Sequence, residues 1–282
     1  MKNFRQKCRH KMKAITMELK EHKSSFFVYL TLRALVILIM ILQILNRNYE
    51  NVFYCILTLF LLIVPSFLQV SFRIEFPSTL EIILLIFIFA AEILGEAGSY
   101  YTRFPYWDTM LHTMNGFLAA AIGFSLVDLL NQEGQDKFRL SPLYMAIVAF
   151  CFSMTIGVMW EFFECAMDTF FGMDMQKDTI INRISTVMLD PAGGTRVYHI
   201  NNIREVVIDG RPLGLGGYLD IGLLDTMMDL FVNFIGAVIF SIIGFFYVKH
   251  RGKGAFAGRF IPKRKKWEAD FQRIVDEEDS SS

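Results

Sequence analysis

Three blocks of ionisable residues interrupt otherwise apolar stretches of the sequence. In Trp107-Asp108-Thr109-Met110-Leu111-His112-Thr113-Met114-Asn115, three- and four-residue spacing puts Asp108, His112 and Asn115 on one helical face. In Trp160-Glu161-Phe162-Phe163-Glu164-Cys165-Ala166-Met167-Asp168, the same spacing groups Glu161, Glu164 and Asp168. Asp225, Asp229 and Asn233 then follow at successive four-residue steps. Several carboxylates and an imidazole held close together need a counter-ion or raised pKa values. A divalent cation is the economical solution. Oxygen ligands with one His suit Mg²⁺ or Mn²⁺, and Zn²⁺ suits a site with fewer ligands. The expected metal ligands are Asp108, His112, Asp225 and Asp229. Glu161 or Glu164 is the expected catalytic general base for water activated by the metal. An arginine such as Arg103, Arg183 or Arg204 would instead make a salt-bridge network.

Plainer readings exist for the same residues. Asp108 and Asp225 stand where helix N-caps belong, and Glu161 to Asp168 could emerge into water at a helix end. The deeper His112, Asp229 and Asn233 could serve only as interhelical hydrogen bonds. Asp128, at the other end of the fourth apolar stretch, reads as solvated.

The elements that position these blocks are membrane helices. With 54% apolar residues and 28 Phe in 282 residues, the composition suits lipid better than water. A spanning helix needs about 20 mostly apolar residues. Six stretches qualify: 26–45, 52–70, 80–94, 110–130, 143–163 and 223–248. The third carries Glu81 and Glu92, and the fourth His112, Asn115 and Asp128. The fold class predicted is therefore an all-α integral membrane bundle of about six transmembrane helices with a small extracytoplasmic β-hairpin loop.

Formal net charge is zero, yet of 28 Lys and Arg, 8 lie in residues 1–25 and 9 in residues 249–274. Basic segments stay cytoplasmic, so both termini are expected inside, which requires an even number of crossings. All three polar blocks, with Glu92 and Glu96, then fall at the extracytoplasmic end. Residues 1–25 read as a basic juxtamembrane segment and 249–282 as a basic tail, with Trp267, Phe271 and Ile274 spaced as an interfacial helix.

The long connection 172–221 is expected to fold as a lid. Val197–Ile200 and Ile203–Ile208 are β-prone runs separated by Asn201-Asn202, and Asp209-Gly210 is a tight-turn pair. The four cysteines, Cys8, Cys55, Cys151 and Cys165, are scattered and read as free thiols. The sequence carries no P-loop, GxSxG elbow, HExxH or dinucleotide fingerprint. Gly116, Gly123 and Gly236 suit close helix packing.

The polar blocks carry a resemblance: Trp107-Asp108 with His112 and Gly116, then Trp160-Glu161-Phe162-Phe163-Glu164, then Asp225-Thr226 with Asp229 and Gly236-Ala237. Over roughly Leu80 to Val248 the chain resembles the YjdF-like family of uncharacterised bacterial inner-membrane proteins. The resemblance implies a location in the bacterial cytoplasmic membrane and names no reaction. The longer connection before the sixth helix and the extended basic tails depart from the family pattern. The leading expectation is a site for a lipid or small polar ligand at the outer leaflet, with a metal ion assisting hydrolysis or group transfer. The alternatives are a cation- or proton-coupled transporter and a membrane scaffold or sensor. Membrane lipids are the expected partners, and no nucleic acid is expected.

Overall fold

The computed structural model describes residues 2–133, 140–250 and 259–280. Six helical stretches among them are long and apolar enough to cross a membrane, and the protein is a multi-pass membrane protein. A basic helix, α1 (Lys2–Glu21), precedes the first span, α2 (Lys23–Leu45). The second span, Tyr49–Phe72, is broken into α3 (Tyr49–Leu61) and α4 (Val64–Phe72). Pro65 sits in the first turn of α4, where its missing N–H prevents α3 from continuing. The third span starts as α5 (Ser78–Phe89) and ends as a π-helix over Ala90–Ala97. A short α6 (Tyr100–Arg103) leads to the last three spans, on α7 (Trp107–Glu133), α8 (Pro142–Phe171) and α9 (Leu223–Lys249), and α10 (Phe271–Ser280) closes the chain. At 1.5 Å per residue, the 30 residues of α8 extend about 45 Å. That exceeds a hydrocarbon core of about 30 Å, so α8 tilts or projects beyond it.

Eight short strands complete the described structure: β1 (Ile74–Glu75), β2 (Ile180–Ile181), β3 (Arg183–Thr186), β4 (Tyr198–Asn201), β5 (Val207–Ile208), β6 (Arg211–Pro212), β7 (Tyr218–Leu219) and β8 (Lys263–Arg264). The chain forms two compact units, Met1–Gly157 with Val232–Ser282, and Val158–Phe231.

In the first unit, Ala120, Ala121 and Phe124 of α7 pack with Met145 and Ala149 of α8 and with Ala237 and Phe240 of α9. Ile74, Phe76, Leu80 and Leu84 pack on Leu118 and Ile122 of α7. The end of the chain is built into this unit. Strand β8 pairs antiparallel with β1, and Ile261 enters the core around Phe124 and Phe240. Val275 of α10 packs with Ala14, Ile15 and Val70. Lys265 is buried, bonded to the buried Glu18, and burial lowers its pKa to about 8 although Asp270 opposes the shift. The sequence reading of an interfacial helix starting at Trp267 needs correction. Helix α10 starts at Phe271 and docks on α1, while Trp267 stays exposed beneath the Arg273 guanidinium, 4.0 Å from its ring. Intramolecular contacts thus cover Val275 and part of Phe271. Residues 251–258, part of the basic tail read from sequence, lie outside the described residues.

The second unit comprises the last turns of α8, the connection to α9 and the first turns of α9. The connection is folded, with pairing partly different from that read in the sequence. Asp209-Gly210 does make a tight turn, both residues at positive φ, joining β5 to β6. Val197–Ile200, however, contributes to β4, whose partner is β3, in register Ile184↔Ile200 and Thr186↔Tyr198. Strand β2 pairs with β7. Asn182 joins these pieces: its Nδ2 donates to the carbonyls of Ile203 (2.6 Å) and Gly216 (2.9 Å), and its own carbonyl accepts from Ile203 N–H at 2.9 Å.

Candidate functional site

Within the first unit, α7, α8 and α9 meet at a polar junction inside the bundle. Gly116 has no Cβ because one there would collide with the carbonyl of Asn233, and a Cβ on Gly236 would collide with that of Thr113. Further along, Gly244 lies against Phe124, so α7 and α9 run parallel with residue 116 beside residue 233. At this contact Asn115 Nδ2 donates to Asn233 Oδ1 at 3.0 Å. Asn233 is 1% exposed. Its Nδ2 reaches Met154 Sδ at 3.6 Å and packs on Gly157 of α8. Ser153 Oγ donates to the carbonyl of Gly116 at 2.7 Å. Small residues let the backbones touch, and Asn115, Asn233 and Ser153 each find a partner on a neighbouring helix.

One turn before that junction on α7, His112 Nε2 stands 3.4 Å from Asp108 Oδ1, their side chains 12% and 31% exposed. Imidazole and carboxylate occupy one face because positions i and i+4 of a helix share it. The first unit also buries Glu92 in the π-helix.

In the second unit the carboxylates divide into two kinds. Asp168, Asp220 and Asp225 hold the connection to the helix ends. Asp168 accepts the backbone N–H groups of Met175 (2.6 Å) and Gln176 (2.9 Å). Asp225 accepts that of Lys177 at 2.7 Å, beside a bond from Gln176 Nε2 to Thr226 Oγ1. Asp220 accepts from Thr179 (2.8 Å), Gly222 (3.3 Å) and Leu224 (2.9 Å). Burial alone would raise the pKa of Asp220, but these backbone donors outweigh it and hold the carboxyl below its usual range. The sequence reading passed over Asp220, although an acidic residue three positions ahead of a helix is a signal for such a role. Asp225, proposed from sequence as a metal ligand, has one oxygen committed to the Lys177 amide.

Glu161, Glu164 and Asp229 are buried in the same unit, at 4%, 8% and 2% exposure. Glu164 Oε1 accepts Trp160 Nε1–H at 2.7 Å, a bond within one helical turn that orients the carboxylate. Glu161 precedes it by three positions on α8, and Asp229 lies one turn before Asn233 on the unbroken α9.

Comparison with protein families returned a match to the family described as "Predicted membrane protein (DUF2238)" over residues 27–250. Comparisons with curated proteins and with solved structures returned no match. The matched region starts at the first span rather than at Leu80 and ends with the sixth, so α1 and the C-terminal tail fall outside it. The chain belongs to this family of predicted membrane proteins, the YjdF-like family that its polar blocks resemble.

Proposed function

We propose that the protein is a bacterial cytoplasmic-membrane enzyme with both termini in the cytoplasm, whose site binds a divalent cation at the extracytoplasmic end of the bundle. The basic tails support the orientation. The ligands proposed are those the sequence spacing suggests, Asp108, His112 and Asp229, one imidazole and two carboxylates. The observation that carries this reading is the Asp108–His112 pair on one face of α7, with His112 Nε2 3.4 Å from Asp108 Oδ1. Asp225 is left out of the ligand set because it serves the loop backbone.

Such a donor set fits Zn²⁺ with an open coordination position, or Mg²⁺ and Mn²⁺ with water completing the shell. A bound ion would supply Lewis-acid polarisation and a more acidic water. With Asp108 and His112 as ligands, a carboxylate from Glu161 or Glu164 would accept a proton from the attacking water. The reaction class is hydrolysis or group transfer on a lipid or small polar ligand of the outer leaflet. Transport is disfavoured, because the packed apolar core of Ala120, Ala121, Phe124, Phe240 and Ile261 fills the space beyond the Asn115–Asn233 junction.

Elemental analysis of the purified protein tests this. We expect a stoichiometric divalent metal that His112→Ala and Asp229→Asn each remove, while Asp128→Asn retains it. Wild-type protein that reaches the membrane folded yet takes up no metal on reconstitution would overturn the cation site.

A further inference from the structure

Beside the proposed cation site, the first unit carries an apolar groove open to the membrane, and we infer that it seats one hydrocarbon chain of an outer-leaflet lipid. The groove has a volume of about 520 Å³ and runs along α7 between α5 and α9, from Tyr106 at one end to Phe117 and Phe260 at the other. Met110 and Ile239 on its walls are both close to half exposed, so its side opens laterally, where a membrane helix meets lipid.

Three features select a lipid chain as the occupant. The first is length. Leu118 lies twelve positions beyond Tyr106, which stands just before α7, and the helical part from Trp107 to Leu118 rises about 16 Å. One leaflet of a hydrocarbon core about 30 Å thick measures about 15 Å. The second is the distribution of polar atoms. The hydroxyls along the groove belong to Tyr106 and Thr109, at the end where α7 begins, and to Thr113 midway. Thr113 Oγ1 is turned back to donate to the carbonyl of Thr109 at 2.7 Å, so the deeper walls of methionine, phenylalanine and isoleucine are dry. A chain with a polar headgroup matches this gradient, apolar below and hydroxylated at the mouth. The third is the floor. Phe260 packs edge-on against Phe117, ring centroids 5.4 Å apart, and closes the groove part-way across the bundle. A groove lined only by lipid-facing side chains would run on to the opposite surface. The C-terminal segment that carries Phe260 gives this one a fixed depth.

The mouth residues Tyr106 and Thr109 flank Asp108 in α7 or just before it. A lipid seated in the groove therefore brings its headgroup linkage to the level of Asp108. The groove stands on its own geometry, but assigning that lipid as substrate rests on the cation reading above.

The test uses the full chain in vesicles of phosphatidylethanolamine and phosphatidylglycerol, doped with a phospholipid bearing a photoactivatable diazirine near the end of one acyl chain. After illumination, peptide mapping should place the main adducts on Met114–Leu118 and on the peptide holding Phe260. Met114→Trp, which fills the groove, should lower those adducts about tenfold, the equivalent of roughly 1.4 kcal/mol of lost binding. Bound metal should stay at the wild-type level. Ile239→Trp on the facing wall provides a second obstruction should the first variant misfold. Adducts spread evenly over all lipid-facing helices, adducts unchanged in both variants, or chain-to-chain cross-linking at the groove in place of lipid would each overturn the inference. Selective adducts in protein that binds no metal would sink the cation reading and leave the groove standing. Bound metal with unselective adducts would do the reverse.

Discussion

The two units use polar side chains for opposite ends. In Val158–Phe231, Asp168, Asp220 and Asp225 spend their oxygens on backbone N–H groups of the connection, seven to forty-eight residues away for most of these bonds. In the unit holding α7, an amide and a hydroxyl bond to other helices, Asn115 to Asn233 and Ser153 to the Gly116 carbonyl. Residue type does not separate the two uses, since carboxylates at helical spacing occur in both. What separates them is the partner. A carboxylate saturated by main-chain donors is scaffold, and its negative charge is neutralised by fixed dipoles. The Asp108–His112 pair on one face of α7 joins side chain to side chain instead.

The harshest way to break this comparison is to attack the helix contact on which the junction stands. A side chain on Gly236 would drive into the backbone of α7 at Thr113, with main-chain atoms that cannot move aside. Gly236→Leu should therefore cost more than about 4 kcal/mol, the range of severe steric failures. The expected outcome is aggregated protein on size exclusion after detergent extraction. A monodisperse variant with a wild-type melting temperature would mean that α7 and α9 do not touch here.

That contact shows what the sequence could and could not reveal. Six spans were legible because hydropathy over twenty residues is a strong signal, and Gly116 and Gly236 stand out among large apolar neighbours. The break at Leu62–Ile63 has a visible cause in Pro65, but the π-helix at Ala90–Ala97 has no marker in residue type. Strand pairing in the connection was only half legible. Asp209-Gly210 specifies its own turn, whereas β3 finds β4 through tertiary context rather than local pattern. The buried Lys265–Glu18 pair joins residues 247 positions apart, and Lys265 reads in sequence as one more member of a basic run. Of the polar blocks, spacing put Asp108 and His112 on one face, and the two side chains lie 3.4 Å apart. Whether each carboxylate is committed to backbone, as Asp225 is, depends on how the connection folds, and one helix's spacing carries no record of that.

A milder break targets the scaffold carboxylates alone. Asp220 has a folded pKa below its ordinary value of about 3.9. Its stabilising contribution is then fully present above about pH 4 and is lost as pH falls through the lower folded value, because the unfolded state binds the proton more tightly. Hydrogen exchange at the Thr179 and Leu224 amides should accelerate below pH 4, while amides in the buried part of α7 keep their protection. Asp220→Asn should remove this pH dependence and weaken the connection by about 1–3 kcal/mol, since one buried acceptor oxygen is replaced by a donor facing N–H groups. Equal acid sensitivity in wild type and variant would show that another group holds the loop.

The smallest expected effect discriminates most finely between scaffold and chemistry. Asn115→Ala deletes the amide that donates to Asn233 and leaves the Gly116 and Gly236 contacts intact. Interhelical hydrogen bonds in membranes average about 0.6 kcal/mol, because the partner left behind finds other donors or acceptors. The group left behind here is Asn233 Oδ1, an acceptor, while Asn233 Nδ2 keeps Met154 Sδ at 3.6 Å. The variant should therefore fold, melt only slightly below wild type and keep loop protection at neutral pH. Its metal content is the decisive reading. Asn115 lies one turn deeper than His112, so a site built on Asp108, His112 and Asp229 should retain its ion when Asn115 is shortened. Loss of metal from Asn115→Ala, in protein as stable as predicted, would move the boundary between the two uses of polar side chains. It would bring the Asn115–Asn233 pair into the site as an element that positions the ligands.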